Sequence, residues 1–158
     1  MQKPSPSPAP FQTRLITALA LWRRPMTLGV RALVLDAERR VLLVRHTYVP
    51  GYFLPGGGVD PGETLEEAML RELDEETKIV AEPPYALHGV YLNRAASSRD
   101  HVALYVVRAF RQAAPHVPDF EIAEAGFFAM DALPEATTRA TRDRIAEVLE
   151  GAERSAYW

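Results

Sequence analysis

Residues 56–79 read GGGVDPGETLEEAMLRELDEETKI, and three of their acids are out of place for an ordinary surface helix. Pro61-Gly62 is a turn pair, proline fixing φ and glycine free to take a positive one. Thr64 and Glu67 stand at capping-box spacing, which predicts a helix beginning just after Thr64. At about 100° per residue, Leu65, Met69 and Leu73 form one apolar stripe flanked by Ala68. Glu66, Glu67 and Asp74 fall opposite, where solvated charges belong. Glu72 and Glu76 fall inside the stripe and Glu75 on its flank. Their i, i+3, i+4 spacing puts all three on adjoining turns of one face. Carboxylates crowded on a packed face repel each other and are costly to desolvate. A hard divalent cation resolves both problems, because Mg²⁺ or Mn²⁺ takes carboxylate oxygens, water and substrate phosphate. An E-L-x-E-E run alone would equally suit an acid-rich solvated helix.

The spacing is longer than that run. Gly57, five residues, Glu63, seven residues, then Arg71-Glu72-Leu73-Asp74-Glu75-Glu76 and Ile79 resembles the Nudix box, G-x5-E-x7-R-E-U-x-E-E-x-G-U with U a bulky aliphatic. Lys78 stands where that family usually has glycine. A glycine there supplies a left-handed residue at the helix end. A lysine in that conformation costs roughly 1–2 kcal/mol, or else the helix exits differently. Neither outcome removes a carboxylate.

Composition bounds the rest. The 158 residues suffice for one domain with a real core. There is no cysteine, so a disulfide framework, a thiol nucleophile and a cysteine-ligated zinc are excluded. The net charge of −3 is unremarkable, but its distribution is uneven. Residues 1–35 hold Lys3, Arg14, Arg23, Arg24 and Arg31 and no acid, whereas residues 63–76 are dominated by acids. No apolar run approaches the ~20 residues needed to span a bilayer. No small-residue cleavage site follows the short apolar run 15–22, so no signal peptide is expected and a cytoplasmic enzyme is the default.

Residues 1–10 alternate proline with serine or alanine and are expected to be a disordered tail. Residues 11–24 suit a helix with Leu15, Ile16, Leu19 and Trp22 on one side, to pack on its own domain, in a homodimer contact or on a membrane surface. Residues 27–35 and 41–45 read as central strands joined by a hairpin loop at 36–40. Arg45 ends the second strand, where it could reach a phosphate or be an ordinary edge charge. Residues 46–53 form an aromatic loop in which Tyr48 and Tyr52 are candidates to stack on a base. The glycines at 56–58 let backbone approach a phosphate closely. Strands are expected at 87–92 and 102–110, linked by a polar loop at 93–100. His101 beside Asp100 reads as a base with its orienting partner or as a plain strand-end histidine. Loop 113–118 leads to Asp119, Glu121 and Glu124 and a strand at 126–130. Residues 138–150 read as a helix with Ile145, Val148 and Leu149 inward, Gly151 as its cap, and Arg139, Arg142 and Arg144 on a solvated face. Residues 152–158 are set apart as a C-terminal tail, leaving 25–151 as the domain.

The irregular alternation of strands and helices suggests a mixed sheet covered on both faces. The resemblance implies the same α/β/α sandwich, strongly at the box and in outline over about residues 26–150. It also implies a site: Glu72, Glu75, Glu76, Gly57 and the loop acid Glu121 on Mg²⁺, with Mn²⁺ able to substitute. Glu75, Glu76 and Arg71 are the expected catalytic set, with Glu75 or a loop acid as base and the Glu63–Arg71 pair orienting the glutamates. Arg45, Tyr48, Tyr52 and Gly58 are the substrate-binding candidates. The expected reaction is metal-dependent hydrolysis of the pyrophosphate linkage in a nucleoside diphosphate joined to another moiety, such as a nucleotide sugar or ADP-ribose. The alternatives are a non-catalytic Nudix sensor or scaffold and an RNA 5′-end pyrophosphohydrolase. No DNA partner is expected.

Overall fold

A computed structural model describes residue 20 and residues 25–158. The expected 1–10 tail and almost all of the 11–24 helix lie outside those residues. The described elements are β1 (Thr27–Val34), β2 (Val41–His46), α1 (Leu65–Thr77), β3 (Ile79–Ala81), β4 (Tyr85–Leu92), β5 (Asp100–Val107), β6 (Phe110–Gln112), β7 (Ile122–Phe128), a 3₁₀ turn Met130–Ala132 and α2 (Arg139–Leu149).

β1 explains the layering. Its side chains alternate between two apolar surfaces, as strand geometry requires. Val30, Ala32 and Val34 turn toward α1 and pack with Ala68, Met69 and Leu73. Leu33 and Leu35 turn the other way, into a cluster with Val41, Leu43, Tyr91, Leu104 and Ile145 of α2. A strand buried on both faces carries consecutive apolar residues, which is why this sequence shows no polar alternation. Each fully buried Leu or Val contributes roughly 1.5–3 kcal/mol. The result is an α/β/α arrangement in which β5 pairs with β1 in parallel and with β4 antiparallel.

The hairpin expected at 36–40 forms only at its turn. Leu35 and Val41 make an antiparallel bridge, and Asp36 closes the loop on Arg40. Beyond it the strands part: β1 ladders with β5, and β2 ladders with β7. The free edge of β1 is taken instead by the glycine stretch. Val30 N–H donates to Gly57 O and Ala32 N–H to Pro55 O, both at 2.9 Å. The expected 102–110 strand divides, since β5 stops at Val107 and Phe110 starts β6 against β3.

Two readings at the C-terminal end need correction. Arg144 is not on a solvated face: it is 2% exposed. Its guanidinium lies 4.3 Å from the Tyr91 ring centroid and 5.6 Å from that of Trp158, and it bonds Glu147 at 2.7 Å. Residues 152–158 also dock on the domain. Leu92 N–H donates to Ala156 O and Trp158 N–H to Leu92 O, while Trp158 meets Tyr91 edge-on at 5.6 Å.

Candidate active site

α1 carries the site, and its start is fixed locally. Thr64 Oγ1 accepts from Glu67 N–H while the Glu67 carboxylate accepts from Thr64 N–H, a complete capping box. At the other end Lys78 adopts φ 58° and ψ 26°, the left-handed conformation, and its N–H returns to Asp74 O and Leu73 O. The lysine thus takes the turn that glycine usually fills. Between these ends the helix buries Ala68, Met69 and Leu73 and, with them, Glu76.

Glu76 is 5% exposed. Its Oε2 accepts a 2.8 Å hydrogen bond from Gly56 N–H, and its Oε1 lies 3.9 Å from His46 Nε2. Burial pushes its pKa up to about 7 against that hydrogen bond and the nearby charge of Arg31. Burial, seconded by Arg31, also holds His46 below the usual imidazole range.

Arg71 organises the neighbouring acids. Its Nε and Nη2 grip Glu63 at 2.9 and 3.0 Å, its Nη1 reaches Glu72 at 2.7 Å and Glu75 at 3.3 Å, and its Nη2 also reaches Gly58 O at 3.0 Å. These bonds raise the Arg71 pKa and lower that of Glu63. Arg71 thus bonds Glu63, Glu72 and Glu75 at once, and the expected Glu63–Arg71 pair is present.

Glu72, Glu75, Glu76 and Glu121 line one cavity of about 310 Å³, with Lys78, Asp119 and Ile122. Gly57 enters through its missing side chain: a Cβ there would lie 2.7 Å from Glu72 Cδ. Gly57 is expected among the metal residues; its carbonyl accepts from Val30 N–H. Gly56 has φ +137°, and a Cβ on it would fall 2.9 Å from Arg31 Cα, so backbone closes tightly on this wall. Asp119 is committed to its own loop, accepting from the N–H groups of Glu121 and Ile122, and those bonds lower its pKa.

Arg45 and Tyr52 are not brought to the carboxylates. Arg45 pairs with Glu124 at 3.3 Å, and Tyr52 donates to the same carboxylate at 2.7 Å. The reason is strand parity: Leu42 faces α1 and Leu43 faces α2, so Arg45 follows Leu43 while His46 follows Leu42. Tyr48 stays on the carboxylate side, its ring 5.3 Å from His46, and is 66% exposed. Gly58 bridges Gly29 on the edge of β1. His101 sits in register with Leu28 on β5, while the Asp100 carboxylate bonds Thr27 and Asn93 rather than orienting it. His46 reaches Glu76, and Arg31 acts on it through its charge, without either having been singled out. Parity along β2, counted from its apolar residues, is the signal that would have found His46.

Oxygen donors of the kind that hold Mg²⁺ or Mn²⁺ thus share one cavity, with a glycine leaving room beside Glu72. Among the described residues no three acidic or imidazole side chains already close into a ready metal cage, because Glu72 and Glu75 lean on Arg71. The donor chemistry fits such an ion.

The chain is thus an α/β/α sandwich in which an acidic helix lies against a glycine stretch on the edge of β1. The profile of the NUDIX domain matches residues 25–149, and the chain belongs to the Nudix hydrolase family. It is 39% identical over 72 residues to an ADP-ribose pyrophosphatase of Methanocaldococcus jannaschii, covering 44% of this chain and 42% of that protein. It is 35% identical over 97 residues to the m7GpppN-mRNA hydrolase NUDT17 of Xenopus laevis, covering 53% of this chain and 33% of that one. The chain thus spans less than half the length of either curated relative. Its fold matches the MutT NUDIX hydrolase of Burkholderia pseudomallei with a TM-score of 0.66 and 31% identity, over 77% of this chain and 97% of that one.

Proposed function

We propose that this protein hydrolyses the pyrophosphate linkage of a nucleoside diphosphate joined to another moiety, a nucleotide sugar, ADP-ribose or a similar compound. One observation carries the reading: four glutamates from two separate segments line a single cavity, and the glycine stretch packs behind two of them, Gly57 against Glu72 and Gly56 N–H on Glu76. Glu72, Glu75, Glu76 and Glu121 would hold Mg²⁺, with Mn²⁺ able to substitute. Bound there, the ion supplies charge screening for the diphosphate and acidifies water.

The remaining work falls to the chain. Arg71 fixes the rotamers of Glu72 and Glu75 and so sets the geometry of the donors. Glu75, 60% exposed at its side chain, is open to water and suited to take a proton as general base. Glu76, buried and bonded by Gly56 N–H, is the fixed point of the set. A water oxygen forms a bond to one phosphorus, the bridging P–O bond breaks, and both products leave phosphorylated. The ADP-ribose pyrophosphatase named above supports the substrate class.

A phosphate-release screen tests this. The panel holds nucleotide sugars, ADP-ribose, nucleoside triphosphates and 5′-triphosphorylated RNA, each with Mg²⁺, with Mn²⁺ and with chelator. Turnover of a nucleoside diphosphate derivative that disappears in chelator is expected. Turnover of RNA alone would replace the small-molecule reading, and binding without turnover of any compound would make the domain a sensor.

A further inference from the structure

A second cavity, of about 370 Å³, lies on the α2 side of the sheet. Arg31, Phe53, Leu54, Asn93, Thr138 and Trp158 are among its walls. The chain links it to the carboxylate cavity: Leu54 lines one, two residues on Gly56 N–H bonds Glu76 in the other, and Arg31 feels the charge of Glu76 and Glu72. Its volume is in the range of small-ligand pockets.

Arg31 is the unusual wall. It is half-buried, burial lowers its pKa, and it has no carboxylate at ion-pairing distance among the described residues. Glu76, Glu72 and Asp100 act on it only through longer-range attraction. Its one hydrogen bond runs from Nη1 to Leu54 O at 3.0 Å. A guanidinium offers five donors, so most of its capacity is unused. A half-buried guanidinium that lines a cavity with no carboxylate in contact is placed to receive an anion. The missing counter-ion is what a ligand would bring. The beginning of α2 forms another wall through Thr138 and Thr141, adding the positive end of a helix. Phe53 and Trp158 offer aromatic surface, so the cavity suits a flat organic group behind an anionic one.

We propose that Arg31 is a substrate-binding residue that holds the phosphate nearer the nucleoside, with the base seated in the second cavity against Phe53 and Trp158. This rests on the hydrolase reading for the position of the scissile linkage. It adds that the phosphate chain runs from the glutamates past Arg31, and that Arg31 rather than Arg45 is the cation that meets it.

The test reads binding, not turnover. The chain has two tryptophans, so in a Trp22→Phe background Trp158 reports on the cavity by its fluorescence. The probes are the α,β-methylene analogue of ADP, which hydrolysis does not consume at that linkage, and adenosine. Each is titrated with Mg²⁺ and with chelator. The expected result is saturable quenching by the analogue, roughly tenfold to a hundredfold weaker in Arg31→Gln, the range for losing a charged hydrogen-bond donor. Arg31→Lys should recover part of it. Adenosine should bind weakly and alike in all three proteins. Equal affinity of wild type and Arg31→Gln for the analogue would overturn the proposal, as would an equal loss for adenosine. If Arg31→Gln does not fold, the wild type decides. In chelator the analogue must out-bind adenosine by a margin that shrinks with salt, and no margin sinks the idea. A protein that binds this way and never hydrolyses anything would refute the hydrolase reading and leave Arg31 standing. One that hydrolyses but ignores Arg31 would do the reverse.

Discussion

Two buried glutamates, one on each helix, have similar exposure and opposite surroundings. Glu147 on α2 is 7% exposed, and Glu76 on α1 is 5%. Glu147 is bonded on both oxygens: Oε1 by Arg144 at 2.7 Å and Ser155 N–H at 2.9 Å, Oε2 by the Tyr91 hydroxyl at 2.8 Å. Among the described residues Glu76 has one hydrogen bond, from Gly56 N–H, and beside it a histidine whose pKa burial lowers. Satisfied buried charge is architecture; undersatisfied buried charge must be maintained for some other return. The difference assigns the two ends of the molecule. The α2 end ties the strap 152–158 to the sheet, and the α1 end keeps a carboxylate available.

The largest effect that could break this contrast is in turnover. Glu76→Gln should lower kcat by on the order of 10²–10⁴-fold. It should leave stability unchanged or raised, because a poorly solvated carboxylate has been neutralised. Steady-state kinetics beside urea denaturation reads both, and near-normal turnover would remove Glu76 from the site.

Glu147→Ala should show the mirror image. Removing one partner strands Arg144 in the core, at a cost of roughly 3–5 kcal/mol by the precedent of broken buried pairs. Turnover per folded molecule should hold. A variant that keeps its stability and loses its activity would mean the two glutamates are not opposites.

Tyr91 sharpens the same cluster by pH. Burial first, then its bond to Glu147, raises its pKa far above the ordinary value near 10. Above pH ~10 the unfolded tyrosine loses its proton while the folded one keeps it, so the unfolded state gains. Stability should therefore fall as pH rises beyond about 10, and fall less in Tyr91→Phe. Denaturation midpoints for both proteins from about pH 8 to about pH 11 check this, and parallel curves would show that Tyr91 takes no part.

The same contrast explains what could be read from the chain. The α1 cap, stripe and misplaced acids were legible because helical spacing is local: residues three and four apart meet whatever the rest of the fold does. The placement of Glu121 beside them was legible through the family resemblance and its register before the last strand. Arg144 was not, because nothing within α2 says that Tyr91 and Trp158 will close over it. Arg45 and Tyr52 were singled out for their closeness to the glycine run, and it is parity along β2 that turns Arg45 toward Glu124, which Tyr52 also bonds. Arg31 was hidden by its neighbours: a single charge in an apolar strand looks like an edge residue until the partner strand is known.

Lys78 gives the smallest and most local test. At φ 58° its side chain costs roughly 1–2 kcal/mol that glycine would not, while glycine gives back about 0.5–1 kcal/mol through its looser unfolded chain. Lys78→Gly should therefore stabilise by no more than about 1.5 kcal/mol, read as a small rise in the urea midpoint. Among the described residues its ammonium bonds Glu75 O alone, at 3.3 Å, but Lys78 also lines the carboxylate cavity. Unchanged kcat with the small gain in stability is expected, and it would confine Lys78 to the turn. A fall in kcat with the same gain would show that strain is retained here for the sake of a charge beside the substrate. Lys78 would then join Glu76 as a residue kept at a cost to the fold.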